Sequence, residues 1–196
     1  MPSDYCTVQE VKDMLPDVDW DVSHYDAILG SLITRASRLI DTWTNREPSS
    51  YIAPVTTREF DGNDRAQLFI GDLAADPAEV SVKWDGINYT LLDKSDYYCA
   101  PINALLEYQP YHYIHLENDY FPCWRKAVKV KGNFGYSITV PDDIKQAAII
   151  QVVRWFKHGQ QAFQNNAANN ELGAPQYGGL DDSVTSILAS YRRLVV

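Results

Sequence analysis

The chain has 196 residues, enough for one sizeable core or for one core with a smaller appended unit. It is 45% hydrophobic and 22% charged, with a formal net charge of −9, a balance that excludes broad, phosphate-tracking nucleic-acid binding. No apolar run approaches the roughly 20 residues of a membrane span, and "MPSDYC" has neither the basic nor the apolar stretch of a secretion signal.

The acidity lies in the first two-thirds. Residues 1–47 hold nine acids and four bases, 48–140 twelve and eight, and 141–196 five and five. Thirteen Tyr and five Trp, many of them mid-chain, offer apolar contact with a polar tip, which suits half-buried surfaces and interfaces. Cys6, Cys99 and Cys123 lack C-x-x-C spacing and read as structural thiols of a reducing compartment.

In chain order, "TVQE" is a capping box: Thr7 and Glu10 can satisfy each other's backbone N–H groups and open a helix to about Leu15, stopped by Pro16. "PDVDWDVS" is a turn-rich linker. Ser23 with Asp26 then predicts a second cap and a long helix to about Asn45. Its apolar positions, from Tyr25, Ile28 and Leu29 to Leu39, Ile40 and Trp43, recur at i, i+3, i+4, i+7. From Glu47 to Val140 the period changes to short strands separated by Gly, Asn and Asp turns. "KWDGINY" carries the strongest hairpin signal, at Asp85-Gly86. The stretch from about Ser95 to Gln109 fits neither period.

"VKVKGNFGYSITVPDDIKQAAIIQVVRWF" (128–156) joins a strand to a helix. Gly132 and Gly135 let the strand end turn, and Pro141 suits the first helical position, where a missing N–H costs nothing. Asp142 and Asp143 complement the helix dipole. Ile144, Ala147, Ala148, Gln151, Val152, Trp155 and Phe156 make the principal helix face, and Ile149, Ile150 and Val153 widen it. "QNNAANNELGAPQYGG" (164–179) reads as a flexible loop, and 180–196 as a short closing helix with Val184, Ile187, Leu188, Tyr191 and Leu194 at helical spacing.

The order predicts an α+β fold that is mostly a helical bundle of about four helices. A β-rich insertion separates the second and third major helices. The helical body is assigned to 1–47 and 126–196, and the insertion to 48–125.

Candidate chemistry is sparse. His112 and His115 in "YHYIHL" sit three apart on a strand, so their imidazoles diverge rather than share a metal. Asp142–Asp143 serve the helix start, and "DGND" (61–64) lacks the downstream Glu of a calcium loop. Cys123 sits beside Arg125 and Lys126, which could lower a thiol pKa, but no partner His is identifiable. No G-x-S-x-G, P-loop or G-x-G-x-x-G is present. No catalytic residue, metal or cofactor is assigned. Arg125, Lys129 and Lys131 are expected to share one strand face opposite Val128 and Val130. That face is either a solvated one or a stripe for an acidic partner or for DNA phosphates.

Together "TVQEVKDML", "LITRASRLIDTWTNR", the strand–Gly–Phe–Gly–aromatic–Val–Pro–Asp–helix joint and the final "ILASYRRL" resemble the head–tail connector (adaptor) family of tailed bacteriophages and gene transfer particles. The likeness covers roughly 5–47 and 126–196. It implies a non-enzymatic virion protein of the neck, assembled in the host cytoplasm. It further implies a ring beneath the portal, commonly of twelve copies, that continues the DNA channel and meets the next neck protein. Under it Leu188, Tyr191, Arg192 and Leu194 are the expected portal contact, and DNA passes without sequence-specific binding. The rival readings are a small hydrolase around His112, His115 and Cys123, and a glycan- or host-binding module using the Tyr/Trp-rich middle.

Overall fold

The computed structural model describes residues 3–16, 18, 24–165 and 179–193. The chain divides into two compact units, Met1–Ser49 with Val140–Val196, and Ser50–Thr139.

In the first unit, helix α1 (Val8–Asp13) opens at the expected box. Thr7 Oγ1 accepts from the Glu10 N–H at 3.2 Å, and Glu10 Oε2 accepts from the Thr7 N–H at 2.8 Å. Helix α2 spans His24–Thr44; its expected cap, Ser23, lies outside the described residues. Leu29, Ile33, Ala36 and Ile40 form its buried stripe, whereas Ile28 stays 44% exposed. Ser37, Asp41 and Thr44 are buried in the same stripe. Ser37 and Thr44 bond back to the carbonyls of Ile33 and Ile40, which removes part of the cost of burying a hydroxyl. Over Ser37 and Asp41 lies the N-terminal segment. The Tyr5 N–H donates to Ser37 Oγ at 3.1 Å, the Ser3 N–H to Ser49 Oγ at 2.6 Å, and Arg38 Nη2 to the Ser3 carbonyl at 2.7 Å.

Helix α3 (Asp142–Asn165) starts one residue later than expected: the Pro141 carbonyl accepts from the Lys145 N–H at 3.0 Å, so Pro141 is the cap residue. All seven residues of its expected principal face are buried, and so is Ile149, so it is covered on more than one side. Helix α4 (Asp182–Leu188) is capped by Asp181, whose side chain accepts from the Ser183 N–H at 2.9 Å. Val184 and Leu188 are fully buried. A 3-10 turn, Ala189–Tyr191, follows. Of the expected loop 164–179, α3 takes the first two residues, and 166–178 lie outside the described residues.

The second unit holds seven strands: β1 (Val55–Phe60), β2 (Gln67–Leu73), β3 (Glu79–Val82), β4 (Thr90–Leu91), β5 (Tyr97–Ala100), β6 (Tyr111–Leu116) and β7 (Val128–Asn133). They form two antiparallel sheets, in the orders β1-β7-β3-β4 and β2-β6-β5. Alternation turns one face of each inward. Val80, Val82, Val128 and Val130 from the first sheet share one core with Leu68, Ile70, Ile114 and Leu116 from the second, and Phe121 and Phe134 belong to it too. A bulge in β2 between Phe69 and Leu73, with Gly71 at φ 78°, carries that strand across to the other sheet. There Leu73 bridges Phe134, and the Ala74 N–H donates to the Asn133 carbonyl at 2.8 Å. Gly135 packs so tightly that a Cβ on it would lie 2.5 Å from the Ser50 carbonyl oxygen.

The mostly helical bundle expected from the sequence is therefore corrected. The two sheets are not decoration; they own a buried core, and the described helices number four, two of them of six and seven residues. The reason is visible in β7. Read along the chain, Val128 and Val130 lead into a helix. In space they sit at the centre of a sheet, paired with Arg58 and Phe60 on one side and with Val80 and Val82 on the other. The Asp85-Gly86 signal does join β3 to β4, through a longer loop: Val82 pairs with Thr90, and Asp85 Oδ1 accepts from the N–H groups of Ile87 and Asn88.

Candidate functional site

Among the described residues, no group of three or more His, Cys, Asp or Glu side chains is placed to hold a metal ion, and no helix is long and apolar enough to cross a membrane. The candidate surfaces are therefore built from contact chemistry.

The C-terminal segment is pinned from several directions. Leu188 is in the core. The Tyr191 hydroxyl donates to Asp143 Oδ2 at 3.0 Å, and the Tyr191 carbonyl accepts from Arg46 Nε at 2.9 Å. The Arg193 N–H donates to the Thr44 carbonyl at 2.9 Å, satisfying one of the open carbonyls at the end of α2. Arg192 is exposed, with its guanidinium carbon 5.5 Å from the Trp43 ring centre. Of the four expected contact residues, the structure thus leaves Arg192 facing solvent and Tyr191 half-buried. Leu194 lies outside the described residues.

The basic cluster is spread along its sheet. Arg125 precedes β7 and is exposed, whereas Lys129 and Lys131 point from the outer face of the strand. Lys131 Nζ pairs with Glu79 at 2.6 Å, and Lys129 Nζ lies 3.9 Å from the centre of the Tyr89 ring. Lys126 pairs with Glu59 at 2.9 Å, and that hydrogen bond holds the Glu59 carboxyl below the usual range. Charge on this face is largely answered by the protein itself, through cross-strand partners that sequence spacing does not reveal.

The histidines do not converge. His112 Nδ1 lies 3.2 Å from Asp72 Oδ1, while His115 stacks on Tyr98 with ring centres 4.8 Å apart. Burial pushes the Cys6 and Cys99 thiols up to about 12, so neither is a thiolate at neutral pH. Cys123 is exposed.

A surface that sequence reasoning leaves unassigned stands out instead. The loop between β5 and β6 exposes Ile102 (71%), Leu106 (80%) and Tyr108 (87%). Its signal in the sequence is an apolar run, "INALLEY", between Pro101 and Pro110 where a loop should be polar.

One buried ionisable group gives the first unit a pH signature. Burial pushes the Asp41 carboxyl up to about 6, against the opposing hydrogen bond from the Tyr5 hydroxyl, the Arg38 charge and the Ser49 N–H. Folded Asp41 keeps its proton to higher pH than the unfolded chain does. Between about pH 4 and 6 the folded state therefore binds more protons, and stability falls as pH rises. Glu10 and Glu59, held low by their hydrogen bonds to Lys145 and Lys126, act in the opposite sense, so the decline, about 3 kcal/mol at most, should be read as the difference between wild type and Asp41→Asn in denaturant titrations across that window.

Residues 5–194 match the family model of the head completion proteins (HCP). This chain belongs to the head completion protein family. No curated protein matches it. A solved structure described as the neck of an empty GTA (gene transfer agent) particle, computed with C6 symmetry, is similar in fold. Its TM-score is 0.58 at 15% identity, over 96% of this chain and 90% of that chain. The resemblance to the phage head–tail connectors is thereby supported. This head completion protein is a structural component of the head–tail joint of a virion. That family is one of structural virion proteins.

Proposed function

We propose that the protein assembles with copies of itself into a ring beneath the portal, continues the DNA channel, and offers a platform to the next neck protein. The observation that carries this reading is the family match across 5–194, almost the whole described chain. A neck computed with C6 symmetry accommodates copy numbers that are multiples of six, and twelve is the number we favour. A net charge of −9 suits a wall past which DNA slides without adhering. In a ring the same head-to-tail contact repeats until the rotation closes, so each subunit needs two different contact surfaces.

We place the portal contact at the exposed side of the C-terminal segment, around Arg192. Removing 180–196 is a poor test of it, because Val184 and Leu188 would leave the core with the segment. Arg192→Glu keeps the apolar anchors. The variant should lower the melting temperature only slightly, through its exposed contact with Trp43, and lose portal-ring capture by about tenfold or more, the scale expected when a charged contact is reversed. Undiminished capture would overturn the placement. Electron microscopy of the wild-type protein mixed with portal protein should show annular particles, and their absence would overturn the ring.

A further inference from the structure

Beside β5 runs a groove of about 570 Å³, a size that falls among ligand pockets of about 300–1,000 Å³. Its walls are largely aromatic: Tyr97, Tyr98 and Tyr111, with Pro77 and Ile102. Asp76 and Glu117 also line it, and neither makes an ion pair among the described residues. Lys94 is the one cation on the groove, and it is outnumbered, because Asp93 and Asp96 stand exposed close to it in the chain. The Glu117 N–H donates to the Asp96 carbonyl at 3.0 Å. Asp96 and Asp119 line a smaller cavity with Trp84, so the acidity continues past the groove.

Tyr97 narrows what fits. It is 9% exposed and lines the groove, yet its hydroxyl has no hydrogen-bond partner among the described residues. A buried hydroxyl left open is costly, so this one is poised to meet a polar group from outside. Burial raises the Tyr97 phenol and the Cys99 thiol, and the Asp76 charge adds to both, so the groove disfavours an anion. A phosphate, and with it a nucleic acid, does not fit. A cation bearing N–H groups does: it donates to the phenol oxygen, is neutralised by the two carboxylates and stacks on tyrosine faces. A guanidinium does all of this at once, because its N–H groups fan out in one plane. A second copy of this chain is a poor source of it. The chain carries a net charge of −9, and Lys12, Lys126, Lys131, Lys145 and Arg154 are each already in an ion pair.

We propose that the groove beside β5 is a docking site for an arginine side chain on a basic segment of a partner protein. The guanidinium sits between Asp76 and Glu117, donates to the Tyr97 hydroxyl oxygen and lies against the tyrosine walls. Lys94 opposes it by like charge and limits its affinity. The inference rests on neither the ring nor the portal contact at Arg192; it asks only that the β unit be folded.

A nuclear magnetic resonance titration of the full chain with the peptide acetyl-Gly-Leu-Arg-Leu-Gly-amide tests it. The backbone amides of Tyr97, Tyr98 and Tyr111 should shift together, while the remaining amides report that each variant is folded. The same peptide with neutral citrulline in place of arginine should bind about tenfold more weakly or worse. Tyr97→Phe keeps the wall but removes the acceptor, and should weaken binding by about threefold to tenfold. Asp76→Asn with Glu117→Gln should weaken it by about tenfold or more, and Lys94→Ala should tighten it by about threefold. Absence of groove shifts at millimolar peptide, equal binding of the citrulline peptide, or indifference to Tyr97→Phe would each overturn the proposal. Self-association in sedimentation equilibrium that Asp76→Asn abolishes would give the groove to a second copy, and would overturn it as well.

Discussion

Leu188→Ala lowers the unfolding free energy by about 2–5 kcal/mol, the range for removing most of a fully buried leucine side chain. The residue is 0% exposed and anchors α4, whose start is held in turn by the Asp181 N–H donating to Gln151 Oε1 at 3.0 Å. Denaturant midpoints of the wild type and variant should differ accordingly, with an unchanged m-value. The same substitution separates a packing role from a docking one. If Leu188 served chiefly to touch a partner, its truncation would leave the midpoint in place and reduce capture alone. The buried geometry predicts the opposite order: stability falls first, and partner binding falls only as far as the folded fraction does.

Gly62→Ala should cost at least about 3 kcal/mol, at or beyond the upper end of ordinary overpacking. A Cβ at this position would lie 1.6 Å from the Pro122 carbonyl oxygen and 2.8 Å from the carbonyl carbon. Both are main-chain atoms, so no rotamer change relieves the clash. The Gly62 N–H also donates to the Trp124 carbonyl at 3.0 Å, locking the turn after β1 against the loop that leads into β7. Near-UV dichroism should report loosened aromatic packing in the β unit. Gly30, in α2, is the matched control, because a Cβ added there would meet nothing within 4 Å. A Gly62→Ala midpoint equal to the wild type would refute the close approach.

The helices were legible because a 3.6-residue period survives without knowledge of neighbours. The stripe of α3 can be named from sequence residue by residue, and so can the Thr7–Glu10 box. What could not be read depended on distant partners. Ser37 and Asp41 look like polar positions of α2; they are buried where Tyr5, near the start of the chain, lies against them. β5 lacks the alternation of a half-solvated strand, so the stretch holding it matches no template. Alternation places Lys129 and Lys131 correctly on one face, yet Tyr89 and Glu79, which occupy them, arrive from loops and strands some 40 to 50 positions earlier in the chain. The apolar turn at 102–108 was legible in composition, but its exposure was not, since only the fold shows which side of a loop has neighbours.

The ends of the β unit meet. The Tyr136 N–H donates to the Ser50 carbonyl at 2.7 Å, and the Ala53 N–H to the Ser137 carbonyl at 2.9 Å. A segment whose first and last residues are hydrogen-bonded neighbours can be spliced into a host chain, or lost from it, in a single genetic event without stretching the backbone on either side. The β unit, Ser50–Thr139, is accordingly tied into the chain through two stretches that lie side by side, so its loops can vary in length without moving either point of attachment.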